Sequence, residues 1–192
     1  MQRSPGTSVQ TQIQLEVLPM RRRHIKGIMA IEQEVYPRPW SADLFLTEIA
    51  EPANRAYFVG RVHRQVVAYG GVLCFGDEGH ITTIAVHPDW HRHKIGTRVI
   101  YELIAAAIEM GARAISLEVR VSNWAAQRLY GEFGFRPVGV RKNYYAEIKE
   151  DALIMWVDDV QSADYLDRIE DIIEAVPDGV RPLETLSQRS RT

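Results

Sequence analysis

The feature that most constrains this chain is a change of hydrophobic period at His87-Pro88-Asp89, reversed just after Gly111. Before it, His80 to Val86 is rich in β-branched residues, which pack well on a pleated surface. After it, Ile95, Val99, Ile100, Leu103, Ile104, Ala107 and Ile108 recur at the spacing of one helix face. Gly111 closes that helix as a left-handed C-terminal cap. Then Ile115, Leu117, Val119 and Val121 alternate with Ser116, Glu118 and Arg120, the period of a half-buried strand. Strand, helix and strand in succession require helices packed on a sheet.

The flanking segments extend that pattern. A strand is expected at about Ile13 to Leu18, and a helix introduced by Pro19 runs to about Val35, with Ile25, Ile28, Met29 and Ile31 on its apolar side. Tyr36-Pro37-Arg38-Pro39-Trp40 breaks it, because proline disfavours helix in the residue before it. Ser41 is suited to cap a short helix through Leu44, Phe45 and Ile49. Ala56 to Val62 and Val66 to Phe75 read as strands joined by the hairpin link His63-Arg64-Gln65. Ser122-Asn123 caps a helix through Leu129 and Phe133, ended by Gly134, and strands follow at about Phe135 to Arg141 and Ala152 to Val157. The expected fold class is α/β: one domain with a twisted mixed central sheet flanked by helices, over residues 13–157, after a flexible lead of residues 1–12. Residues 158–192 form an extension, one helix and then a disordered end. Val160, Leu166, Ile169, Ile172, Ile173 and Val176 give that helix an apolar stripe. The stripe can dock on the body, join two copies or fold on a partner; docking is the expectation.

Composition narrows the classes. The chain has 192 residues, of which 46% are hydrophobic, enough for one core. A net charge of −2 offers no broad basic field for nucleic acid. The one cysteine, Cys74, excludes an intramolecular disulfide and a cysteine-based zinc site, and is expected as a small buried residue. No apolar stretch approaches the roughly 20 residues of a membrane span. A cytoplasmic protein is therefore expected. His87, His91 and His93 lie close together, but no carboxylate shares a helical ligand spacing with them, and no metal is expected.

The loop between the strand at Ile84-Ala85-Val86 and the helix at Ile95 carries His91, Arg92, His93 and Lys94. A helix start presents unpaired backbone N–H groups and a partial positive charge, a natural seat for a diphosphate. Gly96 lets backbone approach a ligand, and Arg92, His93 and Lys94 add charge. A connector with a few solvated cations is the plainer alternative. Glu118 points away from the apolar residues of its strand, where an ion pair on the sheet face is the plain role. For Tyr130 the plain role is core packing.

These segments together resemble the GNAT superfamily of acetyl-CoA-dependent N-acetyltransferases, over roughly Ile13 to Val157. The strand end Ile84-Ala85-Val86-His87-Pro88 matches that family's pattern, and the loop matches its Gln/Arg-x-x-Gly-x-Gly/Ala segment in part. His91 stands for Gln or Arg, Lys94 for the first glycine, and Gly96 for the last. Lysine is costly at a site needing positive φ, and its ammonium is useful beside phosphate. The stretch Leu117-Glu118-Val119-Arg120-x-Ser122-Asn123-x-Ala125-Ala126-x-x-Leu129-Tyr130-x-x-Phe133-Gly134-Phe135 resembles the bacterial ribosomal protein alanine N-acetyltransferases. The resemblance implies acetyl-CoA as donor, Glu118 as proton acceptor and Tyr130 as proton donor. It implies cofactor contacts from the backbone of Ile84, Ala85 and Val86, from His91 through Thr97 (His91, Arg92, His93, Lys94, Ile95, Gly96 and Thr97), and from Asn123. It places Tyr144 and Tyr145 in the last hairpin, where either can contact the acceptor or be an exposed loop aromatic, and Trp40 in an early substrate loop, with simple packing the plainer role for its indole. The acceptor it implies is a protein N-terminal α-amine, as on a ribosomal protein. Lysine side chains or small amines are the alternative acceptors, and an acyl-CoA-binding module without chemistry is the alternative class.

Overall fold

The structure, a computed structural model, describes residues 13–182 and Leu186. The expected N-terminal lead and the far end of the tail lie outside the described residues.

Seven strands make one sheet: β1 (Leu15–Pro19), β2 (Arg55–Val62), β3 (Gln65–Phe75), β4 (Glu78–Val86), β5 (Ala114–Arg120), β6 (Arg136–Tyr145) and β7 (Glu150–Val157), in the order β1-β2-β3-β4-β5-β7-β6. All neighbours are antiparallel except β4 and β5. That one parallel pair needs a crossover helix, which is α3 (Ile95–Glu109). The mixed sheet expected from the changes of period is thus present.

The β4–β5 pairing is short. It runs from Glu78↔Ala114 to Ile81↔Leu117 and stops. One residue further on, the β3–β4 register slips by a bulge opposite Gly71/Val72. A bulge bends its strand and ends pairing. The ends of β4 (Thr82–Val86) and β5 (Glu118–Arg120) therefore part, and a notch opens between them.

Both faces of the sheet are covered. α1 (Ile25–Val35) and α2 (Ala42–Ala50) bury Ile25, Ile28, Ile31 and Phe45 against Tyr57, Val59 and Tyr69. On the other face lies α3, whose Ile95, Val99, Ile100, Leu103, Ile104 and Ala107 are buried as their spacing predicts. Gly111, at φ 95°, closes it. α4 (Trp124–Glu132) and α5 (Ala163–Glu174) complete this layer. Cys74 is buried.

Two local readings change. The segment after Pro19 is not continuous helix: a 3-10 turn at Arg22–His24 precedes α1. The β2–β3 link is two residues, His63 and Arg64, both at positive φ, and Gln65 already belongs to β3. Two-residue turns with that twist suit a hairpin.

The tail docks. Val160, Tyr165, Ile169, Ile173 and Val176 are buried in the main core, and Leu166 and Ile172 pack on it. Leu15 donates its N–H to the Gly179 carbonyl at 2.7 Å, and the Leu186 N–H donates to the Tyr101 hydroxyl at 2.7 Å. The extension thus runs from β7 across the helices to β1 at the opposite edge of the sheet.

Candidate active site

The notch continues into a cleft of about 960 Å³, bounded by the segment 35–40, the end of β4, the start of α3, β5, α4 and the β6–β7 hairpin. Two ends of it differ in chemistry.

One end is the start of α3. Lys94 is its N-cap residue, at φ 59°, and no side chain caps the helix. By contrast Ser41, Asn123 and Ser162 each accept a backbone N–H at the starts of α2, α4 and α5. The first N–H groups of a fifteen-residue helix are thus left without a side-chain acceptor at the cleft wall. Arg92 and Lys94 are exposed beside them and line the cleft. A helix dipole with cations beside it suits an anion. Arg92 and Lys94 are both left-handed, at φ 63° and 59°. The glycine position of the family pattern therefore does demand positive φ, and lysine occupies it under strain. Gly96 lines the cleft, and a Cβ there would also stand 3.2 Å from Leu129 Cδ2, so its bareness lets α4 close on α3. His91 turns back, its Nε2 2.9 Å from the Val86 carbonyl. His93 is not among the cleft-lining residues; its ring stands against Trp90 at 6.3 Å.

The end of β4, paired with β3 but no longer with β5, lines the cleft. The Tyr36 hydroxyl donates to the Ile84 carbonyl at 2.9 Å, so both this carbonyl and that of Val86 have side-chain partners. Across the notch, Asn123 spends Oδ1 on the Ala126 N–H at 3.1 Å. Asn123 itself lines the cleft.

The other end holds Glu118, Tyr130, Tyr144 and Tyr145. The Glu118 side chain is only 7% exposed, yet both its oxygens are paired: Oε2 lies 3.1 Å from His80 Nε2, and Oε1 lies 3.2 Å from an Arg141 Nη. The hydrogen bond from His80 holds its carboxyl below the usual carboxylate range, with help from both neighbouring charges and against the pull of burial. The ion pair on the sheet face is therefore real, and it coexists with a position in the cleft. Tyr130 is buried, 6.1 Å from Phe135, and burial raises its phenol well above the usual value. It stays protonated throughout the neutral range. Tyr144 and Tyr145 meet edge to face at 5.2 Å, and Arg141 lies 5.6 Å from the Tyr144 ring centre. Trp40 packs on Phe45 at 5.3 Å while still lining the cleft.

Several contributors were not singled out from the sequence. His80 and Arg141 come from other strands than Glu118, and only sheet register brings them together. Arg38 and Glu147 pair at 2.8 Å and link the segment after α1 to the β6–β7 hairpin at the cleft mouth. Among the described residues no group of three or more His, Cys, Asp or Glu could hold a metal ion, and no helix is long and apolar enough to cross a membrane.

A sheet split beside an uncapped helix start, with Glu118 and Tyr130 lining the cleft, is an arrangement suited to acyl transfer to an amine. The sequence profile of the acetyltransferase (GNAT) family matches residues 25–135, and the chain belongs to that family. A Bacillus subtilis candidate ribosomal protein bS18-alanine N-acetyltransferase is 39% identical over 138 residues, 72% of this chain and 91% of the relative. The Escherichia coli ribosomal protein bS18-alanine N-acetyltransferase is 34% identical over 127 residues, 65% of this chain and 84% of its own length. The crystal structure of the Escherichia coli ribosomal-protein-S18-alanine N-acetyltransferase superposes with a TM-score of 0.68 at 28% identity, covering 76% of this chain and 94% of that one.

Proposed function

We propose that this enzyme transfers an acetyl group from acetyl-CoA to the N-terminal α-amine of a protein, with a ribosomal protein as the acceptor class. The observation that carries the reading is Glu118, ionised inside the notch beside the aromatic hairpin of Tyr144 and Tyr145. The relatives' names support the acceptor class. The uncapped start of α3, with Arg92 and Lys94, suits the diphosphate of the donor. The end of β4 at Ile84, Ala85 and Val86 and the Asn123 amide suit its arm. Bound there, acetyl-CoA supplies the acyl group as a thioester.

The residues divide the remaining work. An α-amine has a pKa of about 7.7–8.0 against about 10.4 for lysine, so far less energy is needed to free its lone pair at neutral pH. Glu118 accepts the proton, and the freed amine attacks the thioester carbonyl directly. Tyr130, kept protonated by burial, gives its proton to the departing thiolate. Trp40, Tyr144 and Tyr145 present flat apolar faces with polar tips to the first residues of the acceptor.

The test is mass spectrometry of short peptides incubated with enzyme and acetyl-CoA, with the first residue varied, N-terminally blocked lysine peptides included and free polyamines added. Acetylation of free N-termini beginning with Ala or Ser supports the reading. Acetylation of lysine or polyamines alone overturns the acceptor and leaves the chemistry.

A further inference from the structure

His80 sits where β4 and β5 are about to part, paired in register with Ser116. Its ring bridges two side chains of β5. Nδ1 lies 3.0 Å from Ser116 Oγ, and Nε2 lies 3.1 Å from Glu118 Oε2. Ser116 and Glu118 are two residues apart on a strand and so share a face, separated by about 7 Å, a gap an imidazole spans. Ser116 Oγ also lies 3.4 Å from the Gly79 carbonyl. One arrangement of protons uses both contacts of that hydroxyl: it donates to Gly79 and accepts Nδ1–H from His80. Nε2 then faces a carboxylate oxygen. Two such acceptors meet at hydrogen-bond distance only with a proton between them, so the contact is that of the pair in its protonated form, and the form that has released this proton is the one that can accept another.

We propose that His80 is the destination of the proton that Glu118 draws from the acceptor amine, so that the base is a Glu118–His80 pair. The inference rests on Glu118 acting as the base. The ammonium N–H bond breaks, through water, as an O–H bond forms on Glu118. That O–H bond breaks as Nε2–H forms, leaving imidazolium beside carboxylate and a lone pair on the amine. The imidazolium later releases a proton to solvent, which its side chain, 38% exposed, can reach. A carboxylate held below its usual range is by itself a weak base toward an amine of pKa about 7.7–8.0. Imidazole is the side-chain type that changes charge between about pH 5 and 8, where a general base works best. The other groups turned toward the pair do not offer this. Arg141 from β6 is a permanent cation, and Tyr144 and Tyr145, which feel the Glu118 charge, have phenols raised by burial.

The experiment is the pH profile of kcat, with acetyl-CoA and peptide saturating, for wild type, His80→Gln and Glu118→Gln. Glutamine can still offer an N–H to Oε2 and cannot take up a proton. His80 does not line the cleft, so the KM for acetyl-CoA should be unchanged. The expected result is a neutral-range limb in wild type that His80→Gln abolishes, with kcat about 100-fold lower, the low end of positioned acid–base catalysis. Wild-type kcat with an unaltered profile in His80→Gln overturns the proposal. If Glu118→Gln is inactive in that case, only the role of His80 falls; if Glu118→Gln is itself fully active, the base assignment falls first. ¹⁵N NMR of the wild-type His80 ring gives a test that does not depend on a folded His80 variant. Its titration should shift in Glu118→Gln, and an unmoved titration overturns the pairing.

Discussion

Glu32, buried in α1, accepts the Trp40 backbone N–H on Oε2 at 2.7 Å and the Tyr69 hydroxyl on Oε1. One carboxylate therefore ties the segment after α1 to the sheet beneath it. Burial raises the Glu32 carboxyl above its usual value, outweighing both hydrogen bonds. Glu32→Gln keeps the Tyr69 bond but turns a donor toward the Trp40 N–H. An unsatisfied buried donor costs about 1–3 kcal/mol. The variant should lose roughly that much in urea unfolding, and its KM for peptide should rise more than its KM for acetyl-CoA. Equal changes in both would show that the segment does not serve the acceptor.

Lys94 sets strain against charge. A left-handed conformation costs a residue with a Cβ roughly 1–2 kcal/mol, a cost glycine escapes. Lys94→Gly should gain stability, by up to about 1 kcal/mol once the entropy of glycine in the unfolded chain is counted. It should also raise the KM for acetyl-CoA, because the ammonium beside the anion seat is gone. Lys94→Ala should raise KM without gaining stability. Thermal unfolding and steady-state kinetics on the same preparations separate the two terms.

The tail is a clasp across the helical face. Arg168, on α5, donates to the Glu132 carbonyl at 3.0 Å and the Gly131 carbonyl at 3.3 Å, closing the end of the helix that bears Tyr130. At the far end, a Cβ on Gly179 would stand 1.8 Å from the Ile13 carbonyl oxygen. Backbone cannot yield as a flexible side chain does, so Gly179→Ala should undock this turn from β1. Overpacking of this kind costs about 1–3 kcal/mol. Amide exchange should then speed up in β1 and the turn while α3 stays protected. Exchange unchanged in β1 would mean that the turn does not hold that edge.

Much of this was legible beforehand, for identifiable reasons. α3 announced itself because its buried residues follow helical spacing. Glu118 and Tyr130 stood out because a motif fixed their neighbours. β6 runs to Tyr145, past the end near Arg141 that the sequence suggests; nearly all its residues are exposed and its pairing with β7 is irregular after Arg141. An edge strand with no buried face leaves no alternation to read. His80 and Arg141 were missed as partners of Glu118 because they reach it from β4 and β6, and sequence spacing does not encode sheet register. The strain at Lys94 was posed by the sequence as a question, and only a backbone angle could answer it.

Burial of phenols predicts how the fold fails in alkali. Tyr36 and Tyr145 are each pushed up to about 12, chiefly by burial, and Tyr130 is raised further. A phenol raised above its unfolded value of about 10 stabilises the fold fully below that pH, and this contribution is lost as pH climbs through the folded value. Stability should therefore be insensitive to these groups at neutrality and fall between about pH 10 and 12. Phenolate absorbance should rise in one cooperative step with the loss of circular dichroism. Tyr36→Phe removes one raised phenol and the bond to the Ile84 carbonyl. It should move that step to higher pH while lowering stability at pH 7 by about 1 kcal/mol, the worth of one hydrogen bond. Phenolate absorbance that develops at about pH 10 with the fold intact would show these rings to be open to solvent, and would remove the case for Tyr130 as a phenol kept protonated for the leaving thiolate.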